Sequence, residues 1–116
     1  MPNVVKEKSF AFAVRIVNLC RFLRSDQKEY VISRQLLRSG TAIGALVREA
    51  EQAESKLDFI HKMAIALKEA NKTEYWLDLL HETKCLEVRA LASIRRDVVE
   101  LLRLLPSIIK SARKNR

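Results

Sequence analysis

VRALASIRRDVVELLRLLPSIIKSA, residues 88–112, carries two registers at once. Leu91, Ile94, Val98, Leu101, Leu105, Ile108 and Ala112 recur at steps of three and four, while Arg89, Arg96, Arg103 and Lys110 recur at every seventh position. A helix returns to the same facing about every seven residues, so the first set makes an apolar stripe and the second a basic one. At 1.5 Å per residue the basic stripe spans roughly 30 Å. Arg95, Arg113 and Lys114 flank it. The apolar stripe needs other helices to cover it, and the basic one fits an extended anionic partner.

The rest of the chain supplies those helices. A first helix is predicted from Val5 to Arg24, with Phe10, Ala13, Val17 and Cys20 on one stripe and Phe12, Ile16, Leu19 and Leu23 on another beside it. Two adjacent stripes exceed what one bundle interior needs, so either this helix is unusually buried or its second face, with Phe12, Ile16 and Leu19, is an interface with another subunit. A second helix, from Val31 to Ala53, presents Leu36, Gly40, Ile43, Val47 and Ala50. Gly40 and Gly44 lie one turn apart in it. Each costs a helix about 1 kcal/mol relative to alanine, which close approach of a neighbouring helix would offset. Ser55 with Asp58 three residues on starts a third helix, running to Thr83. Its stripe is Phe59, Met63, Ala66, Ala70, Thr73, Leu77 and Leu80. The fourth runs from Val88 to Ala112, with a kink expected at residues 102–106 because Pro106 removes a donor and crowds the carbonyl of Leu102. Short connections between four such helices give an all-α, antiparallel up-down-up-down bundle in a single domain spanning residues 1–116.

Composition agrees with this reading. The chain of 116 residues holds only two glycines and two prolines, so it has few turns to make. The formal net charge is +8. Residues 83–116 contribute nine Lys/Arg against three Asp/Glu, whereas residues 31–82 hold seven against eight. Nucleic acid, an anionic membrane or an acidic protein would each suit such a basic end. A membrane is disfavoured because the fourth helix needs its apolar stripe inside the bundle. No apolar run approaches a membrane span, and the first ten residues lack the apolar core of a signal peptide, so the chain reads as cytoplasmic. Cys20 and Cys85 are too few for a disulfide scaffold.

Chemistry-bearing motifs are sparse. Asp58-x-x-His61 and Asp78-x-x-His81 have the spacing of di-iron ligands, but both lie on the third helix, twenty residues apart. At 1.5 Å per residue that separates them by roughly 30 Å, so no metal or cofactor is expected. No phosphate-cradling glycine loop or nucleophile motif is present, and the chain reads as a non-enzyme. Glu49 and Glu74 fall beside apolar positions and are expected to be partly buried, paired to Arg34, Arg38 or Arg48. Tyr75 and Trp76 suit an oligomer interface, or alternatively base stacking.

Residues 33–80, SRQLLRSGTAIGALVREAEQAESKLDFIHKMAIALKEANKTEYWLDLL, resemble the signature of the bacterial four-helix-bundle protein family, which includes proteins encoded within intervening sequences of large-subunit ribosomal RNA genes. Gln35-Leu-Leu-Arg-Ser39 is similar to its opening motif. Ile43 and Glu49 match its central one, with Leu46 where an Asn is usual and Ala50 where a Gly is usual. Phe59, Ala66, Leu67, Glu74 and Leu77 match its third-helix pattern. The resemblance implies a ring-like homopentamer. It extends to the accessory protein of diversity-generating retroelements, which implies RNA or DNA and a reverse transcriptase as partners. Two functions therefore stand open: a nucleic-acid-binding accessory factor contacting phosphates through Arg89, Arg95, Arg96, Arg103, Lys110, Arg113 and Lys114, or a scaffold that binds only protein.

Overall fold

The computed structural model describes residues 3–115 and contains, among them, four helices: α1 (Val4–Ser25), α2 (Val31–Glu51), α3 (Lys56–Glu82) and α4 (Val88–Lys114). They pack in sequence order, with α4 closing back on α1, and the bundle measures 49 × 21 × 21 Å. Side-chain bridges record the antiparallel pairing. Asn3 Nδ2, at the start of α1, donates to Glu51 at the end of α2 at 3.0 Å, and Arg95 near the start of α4 meets Asp78 near the end of α3 at 3.0 Å.

Each boundary has a local cause. Asn3 caps α1 by accepting from the Lys6 amide at 3.1 Å. Ser55 Oγ accepts from the Asp58 amide at 3.0 Å, and Asp58 accepts in return from the Glu54 amide at 3.3 Å, close to the reciprocal cap expected. The start of α2 is capped differently. Glu29 accepts from the amides of Ser33 at 2.7 Å and Ile32 at 3.0 Å, satisfying donors that the helix leaves open. Lys28 takes φ 56° in the turn just before it. The helix α4 runs unbroken across Pro106, which is exposed.

The core is one continuous cluster. Phe12, Ile16 and Leu23 of α1 meet Leu36, Ile43 and Val47 of α2, and all are at most 2% exposed. Met63, Leu77 and Leu80 of α3 and Val98, Leu101 and Leu105 of α4 close it at 1% or less. The paired glycines of α2 let α1 come close, as their spacing suggested. A Cβ on Gly40 would stand 2.9 Å from two carbons of Ile16, and one on Gly44 would stand 3.3 Å from the backbone oxygen of Ser9. The buried Thr73 hydroxyl donates to Ser39 Oγ at 2.9 Å, which satisfies a polar pair inside the α2–α3 seam.

Three sequence readings change. Phe12 and Ile16, expected on an outer interface, lie inside the protomer at 1% and 0% exposure, and Leu19 is half-buried against the core. The surplus stripe of α1 is instead the one through Phe10, with Val14, because Ser9, Phe12, Ile16, Cys20 and Leu23 share the inward line. On α4 the final buried residue is Ile109 rather than Ile108. A 3.6-residue helix drifts about 20° per heptad, so after Leu91, Val98 and Leu105 the inward position falls one residue later. Glu49 is exposed and pairs with Lys62 at 3.2 Å, and Glu74 is partly buried against Arg95, so neither carboxylate meets the arginines of α2.

Candidate nucleic-acid interface

The outer ridge of α4 lies opposite its buried stripe. Taking 100° per residue, Arg89, Arg96, Arg103 and Lys110 sit close to diametrically across the helix from Val98 and Leu105. All four are exposed, and none has an ion-pair partner among the described residues. Arg113 and Lys114 extend the charge into the last turn, where cations also complement the helix dipole.

What leaves the ridge cations unpaired is the placement of the acids. The helix contains two, Asp97 and Glu100, and both turn toward α1. Arg15 Nη1 holds Asp97 at 2.6 Å and donates also to the Ser93 carbonyl at 3.3 Å, while Lys8 holds Glu100 at 3.0 Å. Both carboxylates are thereby neutralised at the α1–α4 seam. Ala92, Arg95, Arg96, Val99, Glu100 and Arg103 line a shallow depression of about 570 Å³ along this flank of α4. The exposed guanidinium groups of Arg96 and Arg103 can each meet phosphate oxygens in the bidentate manner that arginine favours.

Arg95 stands apart from this set. It bends toward α3, with Nη1 at 3.0 Å from Asp78 and Nε at 3.6 Å from Glu74. Its charge is balanced twice over by the protein itself, so it is a brace between α3 and α4 rather than a free cation. The seat could not be read from either helix alone, because it depends on their relative rotation.

Elsewhere the expected residues are dispersed. Tyr75 is 60% exposed, and Trp76 is half-buried against the core. Their rings meet edge to face at 5.0 Å. Asp78 is taken by Arg95, and His81 Nδ1 lies 2.9 Å from the Leu86 carbonyl. Among the described residues no three His, Cys, Asp or Glu side chains converge. Cys20 is buried, its Sγ 3.3 Å from the Ser33 carbonyl. Burial pushes its thiol up to about 11, opposed by Arg24 and reinforced by Glu29, so at neutral pH it is an uncharged packing group.

A second basic surface went unseen in the sequence. From Lys8 to Ser25 and from Tyr30 to Arg48 the chain contains no acid, yet it contains Arg21, Arg24, Arg34 and Arg38, all exposed. Arg48 lies over the Phe10 ring at 5.3 Å. A count over residues 31–82 hides it, because the acid-free stretch ending at Arg48 is averaged with Glu49 and Glu51, which follow it on the same helix, and with the acids of α3.

Comparison with known proteins bears on these features. The family profile described as 23S rRNA-intervening sequence protein matches residues 2–107. A crystal structure of a protein with unknown function from the S23 ribosomal protein family of Bacteroides thetaiotaomicron VPI-5482 is similar, at 61% identity and a TM-score of 0.91. The match covers 92% of this chain and 99% of that one. Among curated proteins there is no match.

Proposed function

We propose, for a chain that belongs to the 23S rRNA-intervening sequence protein family, that it is a non-enzymatic accessory factor binding the phosphate backbone of nucleic acid along the outer ridge of α4. The observation that carries this reading is the exposed, unpaired line of Arg89, Arg96, Arg103 and Lys110, with both acids of the same helix drawn away to Arg15 and Lys8. Evenly spaced cations match a backbone and carry no base code, so binding is nearly independent of sequence. The protein acts as a homo-oligomer, a pentameric ring as the family resemblance implies. The outward stripe of α1 at Phe10 and Val14, 55% and 47% exposed, supplies apolar surface for that contact, and Tyr75 adds to it. Repetition around a ring raises avidity without any new contact.

Titration of a labelled 20-nucleotide RNA and a 20-base-pair DNA duplex at several salt concentrations tests the proposal. Affinity should fall linearly with salt on logarithmic axes and differ little between unrelated sequences. No binding at about 50 mM salt, where electrostatic binding is strong, would leave a protein-binding scaffold as the better account.

A further inference from the structure

The turn joining α1 to α2 places five cations and two exposed aromatic rings at one end of the bundle. Arg21 and Arg24 occupy the last turns of α1, Lys28 lies in the connection, and Arg34 and Arg38 stack one turn apart on the first half of α2. All five are exposed, and none is ion-paired among the described residues. The two acids of this segment have local duties. Glu29 spends its carboxylate on the amides that open α2, and Asp26 accepts from the Ser25 hydroxyl. Phe22 and Tyr30 lie in the same segment, at 40% and 52% exposure. Neither ring serves the core, because Ile16, Cys20 and Leu23 already define the inward line of α1, and Tyr30 precedes α2 without capping it through its side chain.

We propose that this turn is a second nucleic-acid site, distinct from the α4 ridge and selective for single strands. The inference rests on the nucleic-acid reading above and adds to it. A straight ridge of cations suits the regular backbone of a duplex or a strand alike. A helix-to-helix turn that carries exposed rings in the same segment as unpaired cations suits a chain whose bases are unpaired, because a ring can stack only on a base face that a duplex keeps covered. Stacking tolerates any base, so the site is sequence-tolerant as well.

The test uses the full-length protein with Phe22→Leu and Tyr30→Leu combined, which keeps apolar volume and removes the flat rings. Affinity is measured for a fluorescein-labelled single-stranded RNA 20-mer and a 20-base-pair DNA duplex. Single-strand affinity should drop about tenfold while duplex affinity changes less than about twofold. A second variant, Arg34→Gln with Arg38→Gln, should flatten the single-strand salt slope by about 1.4 units, at 0.7 per phosphate contact. Equal loss on both probes by the leucine variant, or no loss on either, overturns the site and leaves the α4 proposal standing. Failure of the unmodified protein to bind either probe overturns both.

Discussion

Gly40→Ala tests the packing on which the whole bundle depends. The new Cβ would stand 2.9 Å from both Cγ1 and Cγ2 of Ile16, well inside ordinary carbon–carbon contact. Ile16 is fully buried, and a β-branched side chain in a helix has one strongly preferred rotamer, so it cannot swing aside. Adding a methyl to a filled core costs about 1–3 kcal/mol. Replacing a helix-interior glycine by alanine returns about 1 kcal/mol. The net expectation is a loss of about 1 kcal/mol, read as a lower urea midpoint with unchanged slope and a Tm lower by about 4 °C. Protein concentration must be fixed, because assembly contributes to apparent stability. The sign should reverse in the right background. Ile16→Ala alone costs about 2–5 kcal/mol, but it removes both clashing carbons, so adding Gly40→Ala to it should then stabilise by about 1 kcal/mol. A stabilising Gly40→Ala in the presence of Ile16, or the same loss in both backgrounds, refutes the assigned α1–α2 contact.

Phe10→Lys should lower the assembly state seen by light scattering while leaving helical circular dichroism intact. Phe12→Lys should instead unfold the protomer, because Phe12 is 1% exposed. Cys20 should react with a thiol reagent only as fast as the protein unfolds, whereas half-buried Cys85 reacts at once. The thiol of Cys20 is raised from 9.0 to about 11, so between those values the unfolded chain loses a proton that the folded chain keeps. Stability should therefore fall as pH rises through that window, and Cys20→Ala should remove that part of the slope in urea titrations. Pro106 is exposed and interior to α4. Pro106→Ala should raise stability by about 1–3 kcal/mol by returning an amide donor to the helix, measured by the same denaturation.

How much of this was legible depends on whether one helix carried the information by itself. The two registers of α4 did, since both the buried stripe and the basic ridge repeat within a single segment. The glycine pair of α2 also spoke plainly, because only close approach offsets two weak helix formers. The first helix was ambiguous. Its two apolar stripes are equally persuasive as sequence, and what decides between them is Ser9, a polar residue buried where Gly44 lets the backbones meet. Arg95 and Glu49 were misjudged for a related reason. Their partners Asp78 and Lys62 sit on other helices, and which side chains meet across a seam depends on rotations that no single-helix pattern encodes. The α1–α2 basic surface is hidden in a net count because its acid-free stretches, residues 8–25 and 30–48, are interrupted by Asp26 and Glu29 and followed by Glu49 and Glu51.

The salt dependence of duplex DNA binding probes the phosphate contacts of the α4 ridge themselves. Arg96→Gln with Arg103→Gln removes two unpaired ridge cations without touching the core. Arg95→Gln removes one that the protein already neutralises. At about 0.9 units per phosphate contact, the double variant should flatten the slope of log affinity against log salt by about 1.8 units, while Arg95→Gln leaves it nearly unchanged. Equal slopes for the double variant and the unmodified protein, or a larger change from Arg95→Gln, would contradict the account.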